Sequence, residues 1–226
     1  MAGTLPEENT FPVLDFDFDR PLLAAAKTAS SPMVSIYPFD RDAIVAGRGS
    51  DLDIEINLSR ARADKVPVYR RMGGGCSVFL DPGNLIVSLA FPARGIGGIQ
   101  ALFDKSSQWL IQGFANAGVD GVYQDGISDL VVKDRKIGGS CLYRTKGFAY
   151  YSAAILVTPD LDKMEAYLCH PPREPDYRQG RSHRDFVAGL NRFLPGLTVT
   201  DLARSLTACL DPSAMGKAFS RAGSAA

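Results

Sequence analysis

The sequence predicts an α+β fold in which mostly antiparallel strands form sheets and helices pack against them. Two observations carry this reading. Short apolar runs bounded by Gly, Pro, Asn and Asp recur between residues 33 and 91. One long helical stripe then separates them from a second strand group, which three helix patterns follow.

"DRPLLAAAKTA" reads as a first helix with Pro21 in its opening turn. "MVSIYPF", "AIVAGRG" and "VPVYRR" read as short strands. "CSVFL" and "NLIVSLAF" read as two more, joined by the Asp81-Pro82-Gly83 turn. From Gly97 to Gly118, apolar residues at Ile99, Leu102, Phe103, Leu110 and Phe114 form one helical face, and Gly118 suits its stop. "SDLVVKDRKIGGSCLY" reads as a hairpin turning at Asp134-Arg135, and "YYSAAILV" as a buried strand. "PDLDKMEAYL" and "SHRDFVAGLNRFL" read as helices, the second opened by a Ser182 to Asp185 capping pattern. "TDLARSLTACL" reads as a last helix capped by Thr200.

With 226 residues and 46% hydrophobic content the chain can bury a real core. The reading is a single domain over 14–211 between flexible ends at 1–13 and 212–226. The 25 basic and 25 acidic residues cancel, so no global field recruits nucleic acid or an anionic membrane. The acidic opening segment lacks the blocks of a signal peptide, and no apolar run reaches spanning length, so the expectation is a soluble cytoplasmic protein. Four scattered cysteines without a CxxC pair suggest neither a disulfide framework nor a zinc site, and Cys169 and Cys209 read as buried structural thiols. His170, in a "CHPP" loop, and His183, at a helix start, read as solvated or capping residues.

Two stretches stand apart. In "RRMGGGCSVFLDPGN", residues 70–84, Gly73, Gly74 and Gly75 could form a tight turn or bulge. Alternatively, they let a ligand approach backbone amides while Arg70 or Arg71 supplies charge for a carboxylate or phosphate. No Lys-Ser/Thr follows and the next element is a strand, so this is not a Walker loop. In "VVKDRKIGGSC", Lys136 faces away from Ile137 on a two-residue period. It is either a solvated hairpin lysine or an ammonium held over a small-molecule site, where it would stabilise a carboxylate and then a developing oxyanion. Lys133, nearer the turn, fits the solvated role. Val78, Ile137 and Ile155 could line an apolar pocket beside it or be ordinary core.

Together these stretches resemble the lipoate–protein ligase and lipoyltransferase family of the biotin and lipoate attachment superfamily, with "GRGSDLDIEIN" as a weaker upstream match. The resemblance covers roughly Ile36 to Leu190 and implies a biotin/lipoate ligase-like catalytic domain. It implies an enzyme that joins lipoate to ATP as lipoyl-AMP, with Mg2+, and passes the acyl group to a lysine of a lipoyl-carrier domain of the 2-oxoacid dehydrogenase E2 or H-protein type. By position, Lys136 matches the catalytic lysine, while Arg71, Gly73, Gly74, Gly75, Cys76, Asn84, Asp129, Gly138 and Ser140 match the lipoate- and nucleotide-binding set. Asp129 also matches an aspartate beside the metal. Many relatives carry a further C-terminal domain, so the expectation is either a separate accessory subunit or a catalytic domain that acts alone.

Departures from the pattern fall at Cys76, Leu80, Ser128 and Tyr151–Ala154, where the family has glycine, histidine, asparagine and His-His-Gly-Thr. Two alternatives remain. One is an ATP-independent octanoyl or lipoyl transferase using a thiolate, for which Cys76 and Cys141 are candidates, although the position matching that nucleophile holds residues such as Tyr123. The other is a non-catalytic lipoyl-binding protein.

Overall fold

Strand pairing sorts the apolar runs into two sheets. The computed structural model describes residues 11–93, 98–145 and 147–215. The elements run β1 (Val13–Asp15), α1 (Arg20–Ala26), β2 (Met33–Pro38), β3 (Ala43–Ala46), α2 (Leu52–Glu55), α3 (Leu58–Ala63), β4 (Val68–Arg70), β5 (Val78–Leu80) and β6 (Asn84–Pro92). Then come α4 (Ile99–Asn116), β7 (Val122–Asp125), β8 (Asp129–Val132), β9 (Arg135–Arg144), β10 (Phe148–Leu156), α5 (Leu161–Tyr167), α6 (His183–Phe186) and α7 (Val199–Cys209). The larger sheet, ordered β2-β6-β10-β9-β8-β7, is antiparallel throughout. The smaller, ordered β1-β4-β3-β5, is mixed, because β4 runs parallel to both β1 and β3.

That parallel β3–β4 pair explains two helices the sequence reading lacks. Parallel neighbours need a crossover, and α2 and α3 supply it. Each opens on an Asx cap: Asp51 accepts from the Asp53 amide and Asn57 from the Arg60 amide. The sequence reading also lacks the short edge strands β1 and β7.

One face of the larger sheet carries Leu85, Val87, Leu89, Leu130, Ile137 and Ile155 against α4 and α7, in the main core. The opposite face is covered by α1, through Leu22 and Ala26 against Ala90 and Tyr150, and by the small sheet, through Val45, Tyr69 and Leu80 against Ile86. This second face carries the candidate site. The outer face of the small sheet packs Ile44, Val68 and Phe79 against α3, α5 and α6.

The structure corrects several expectations. The hairpin turns at Lys133-Asp134 rather than Asp134-Arg135, with Lys133 in the left-handed region at φ 58. The helix expected over 182–194 stops at Phe186, because Val187 becomes extended and bridges to Lys136, which overrides local propensity. Its Ser182–Asp185 cap forms as expected. α7 is capped by Thr198, whose hydroxyl accepts from the Asp201 amide, and not by Thr200. Cys169 is exposed and Cys209 half-buried, since one leaves α5 at the surface and the other ends α7. Much of the two ends expected to be flexible, 1–10 and 216–226, lies outside the described residues, as does Gly97. Val13 already pairs with Val68, and Met215 is buried in the main core. Among the described residues no helix is long and apolar enough to cross a membrane.

Candidate functional site

The loop 71–77 leaves β4 and enters β5, and the upstream segment braces it. Arg71 donates to the carbonyls of Val45, Gly74 and Cys76, and Arg70 to those of Gly47, Arg48 and Ser50. The arginine pair thus shapes the loop from beneath. The Arg48 amide donates to Gly73 O and the Ser50 hydroxyl to Gly75 O. The buried Glu55 carboxylate accepts from the Ser77 amide. Carbonyls 73–76 are therefore all engaged, whereas none of the amides of residues 72–76 donates to an acceptor among the described residues. A loop whose carbonyls are occupied and whose amides are unspent leaves those amides available to an anion.

The loop rests on β9. A Cβ on Gly73 would lie 2.6 Å from Cys141 Sγ, so only glycine allows this approach, while a Cβ on Gly74 would meet nothing within 4 Å. Gly75 takes the left-handed region at φ 93.

Lys136 reaches the same face. Its ammonium lies 2.7 Å from Asp129 Oδ1, with about a quarter of the side chain exposed. The β8–β9 register slips between Leu130 and Val131, so Val131 opposes Lys136 while Leu130 opposes Gly138. Ile137 is the extra residue of this bulge and turns into the main core. Beyond it Asp129 opposes Gly139, and a Cβ on Gly139 would lie 3.0 Å from Lys136 Nζ. Gly139 and Cys141 point the same way two residues apart, so the ammonium and the glycine loop overlie neighbouring positions, roughly 7 Å apart along the strand.

Other expected residues fall elsewhere. Gly138 and Ser140 point to the opposite side: Gly138 is backed by Ile155 of the main core, and Ser140 exchanges hydrogen bonds with Ser128. Asn84 is fully buried at the far end of β5 from the loop, where its side chain accepts from the Asp81 amide and closes the turn. Ile137 and Ile155 are core, because the bulge and the pleat send them to the helical side, and Val78 packs between the sheets. The floor beside the loop is made instead of small residues, Gly139 with Ala154 and Cys141 with Ser152. Beyond them the Ser88 hydroxyl bonds Ser152 at 2.9 Å and the buried Asp19 carboxylate at 2.7 Å. Burial pushes the Asp19 carboxyl up, against the hydrogen bonds from Tyr150 and Ser88.

Both Asp129 oxygens are committed, Oδ1 to Lys136 and Oδ2 to the Tyr177 hydroxyl at 3.0 Å. Among the described residues no group of three or more His, Cys, Asp or Glu could hold a metal ion. Burial pushes the Cys141 thiol up despite the Arg71 charge, which disfavours the thiolate a nucleophile needs. Cys76 is half-buried, with Sγ 3.7 Å from Arg173 O. His170 pairs with Glu174, and His183 begins α6 beside Glu165. Burial, then the Arg178 charge, push the His183 imidazole down to about 4.

The residues the sequence reading missed are Glu55, Gly139 and Tyr177. Glu55 lay within the "GRGSDLDIEIN" match and Gly139 beside the assigned Gly138, whereas no motif marks Tyr177.

A family profile for the lipoyl protein ligase A/B catalytic domain matches residues 12–211. A probable lipoate-protein ligase A of Mycoplasma pneumoniae is 24% identical over 86% of the chain and 57% of its own length. The lipoate-protein ligase A of Blochmanniella pennsylvanica is 28% identical over 74% of the chain and 49% of its own length. The chain thus spans about half the length of the curated relatives it matches. Among solved structures, a lipoate-protein ligase A bound with ATP superposes with a TM-score of 0.70 at 20% identity, over 86% of this chain and 81% of that one. A bi-partite lipoate protein ligase with its E2 lipoyl domain, from Thermoplasma acidophilum, gives 0.71 at 19% identity over 93% and 89%. A Thermoplasma acidophilum putative lipoate protein ligase with bound lipoic acid gives 0.69 at 19% identity over 88% and 85%. These likenesses establish the biotin/lipoate ligase-like fold.

Proposed function

The chain belongs to the lipoyl protein ligase A/B catalytic-domain family, and from that membership we propose that it activates lipoate with ATP and transfers the lipoyl group to a carrier-domain lysine. The observation that carries this reading is that the glycine loop and the Lys136 ammonium overlie neighbouring positions, Cys141 and Gly139, on one face of β9. A carboxylate and a phosphate brought together there repel each other, and a fixed cation with amide donors offsets that repulsion without reorganising.

A lipoate carboxylate oxygen attacks the α-phosphorus of ATP, pyrophosphate leaves, and lipoyl-AMP remains under the loop. The neutral amine of the carrier lysine then attacks the acyl carbon, expels AMP and loses a proton, forming the amide. Lys136 stabilises charge in both steps, Gly73, Gly74 and Gly75 with Cys76 supply backbone donors, and Arg71 keeps the loop in shape. Mg2+ would be held mainly by the phosphates of the nucleotide and would offset their charge, since it usually binds through substrate phosphates and few carboxylates. Asp129 serves Lys136 instead. The small side chains at Gly139, Ala154 and Ser152 mark the place proposed for the acyl chain.

In this reading residues 14–211 are the core of one catalytic domain, and the carrier is of the 2-oxoacid dehydrogenase E2 or H-protein type. A separate accessory subunit is a second partner to include in the test. The four free cysteines suit a reducing cytoplasm, where ATP is also available.

The test is intact-mass analysis of an apo lipoyl domain incubated with the chain, lipoate, ATP and Mg2+, with and without a candidate second subunit. Lipoylation that requires ATP supports the reading. Transfer from an acylated carrier without ATP, lost on changing Cys76 or Cys141 to Ser, would replace it with the thiolate mechanism. Lipoate binding without either reaction would mark a non-catalytic protein.

A further inference from the structure

We infer that Tyr177 is a positioning residue for the proposed adenylation, holding Lys136 in its working place through Asp129. This rests on the ligase reading above. The chain of contacts is short: the Tyr177 hydroxyl donates to Asp129 Oδ2 at 3.0 Å, and Asp129 Oδ1 lies 2.7 Å from Lys136 Nζ. Burial, then the Asp129 charge, push the Tyr177 phenol far up, so it stays protonated and serves as donor.

A lysine has four rotatable side-chain bonds, and an ammonium that must stabilise charge at one point gains from every constraint on them. Here the constraints come from one stretch of chain, residues 173–188. The Ala188 amide donates to Lys136 O, and Val187 bridges to Lys136, so the backbone is gripped there. Tyr177 grips the side chain through the carboxylate. Its ring packs 5.0 Å from Phe186, which the Arg178 guanidinium also covers at 4.9 Å. The same stretch reaches the glycine loop, where Arg173 O meets Cys76 Sγ, and it covers Gly126, whose Cβ would lie 3.2 Å from Pro175. Without the phenol the carboxylate would keep only its pair with the ammonium, and the two could move together.

Tyr177→Phe removes the hydroxyl and keeps the ring and its stack. In lipoate-dependent ATP–pyrophosphate exchange the variant should lose about tenfold in kcat, with KM for ATP and lipoate within about twofold of wild type. In a Lys136→Ala background the same change should have no further effect on the residual rate, because the hydroxyl acts only through that ammonium. A structural role would lower both backgrounds equally. An independent measurement needs no turnover: pulse acetylation read by mass spectrometry should label Lys136 several-fold faster in Tyr177→Phe than in wild type, with Lys133 unchanged as the internal standard. Wild-type kcat in Tyr177→Phe, equal losses in both backgrounds, or unchanged Lys136 labelling would each overturn the inference. Wild-type protein that exchanges no pyrophosphate would overturn the ligase reading instead, and the labelling comparison would still decide whether Tyr177 holds Lys136.

Discussion

Gly139 decides where the Lys136 ammonium can rest. A methyl group there would come within 3.0 Å of Nζ and 3.1 Å of Cε, and the atoms it meets are the far end of a flexible side chain. The strand can therefore accept alanine if the ammonium gives way by a few tenths of an ångström. Gly139→Ala should leave the far-UV circular dichroism spectrum unchanged and lower pyrophosphate exchange by about tenfold, a milder version of Lys136→Ala, for which about a hundredfold is expected from loss of one charge-stabilising donor. Lys133→Ala should be near neutral, since that residue sits exposed in the turn. Equal rates for Gly139→Ala and wild type would mean the ammonium works from another rotamer. At this scale the sequence distinguished Lys136 from Lys133 by strand period, by distance from the turn and by the motif it matches. It could not separate Gly139 from Gly138, or see that Ser140 turns away, because the bulge at Ile137 resets which residues share a face.

Elements were legible where their signals were local. Gly118 ends α4 as its pattern implies, with φ 79 and the Val119 amide returning to Phe114 O. Asp81-Pro82-Gly83 joins β5 to β6, and the capping pattern at Ser182 forms. Signals failed where tertiary pairing chose the structure: α2 and α3 exist because β3 and β4 are parallel, and α6 is cut short because Val187 joins β9. The start of α7 shows how two equivalent caps are resolved. Thr198 and Thr200 are both threonines near the helix start, but only Thr198 stands three residues before Asp201, with its hydroxyl bonded to the Asp201 amide and carboxylate. Thr198→Ala should cost about 1 kcal/mol, or roughly 2–4 °C in Tm for a domain of this size, and Thr200→Ala close to nothing. The reverse order in a thermal melt would place the helix start two residues later.

The whole molecule makes the site by closing one sheet over the other. The glycine loop belongs to the small sheet and Lys136 to the large one, and their signatures lie far apart in sequence yet meet over Gly139 and Cys141. Order and composition showed that both stretches were unusual; which faces meet depends on the register of strands that a single sequence leaves open. A ligand spanning the loop and Lys136 would lie on both sheets beside the 173–181 segment, which touches Cys76 and Asp129, so it should act as a clamp. Binding to the folded state alone stabilises it by about 2.7 kcal/mol at a hundred times Kd, which for roughly 200 residues is about 5–10 °C in Tm. A non-hydrolysable lipoyl-AMP analogue should produce that shift and slow amide exchange together at 72–77 and 173–181. The unspent amides of 72–76 should show the largest slowing, since ligand oxygens become their acceptors. Protection confined to one of the two segments would mean that the analogue binds one sheet only, and the closed site described by Cys76, Tyr177 and Lys136 would then not be the one that holds the adenylate.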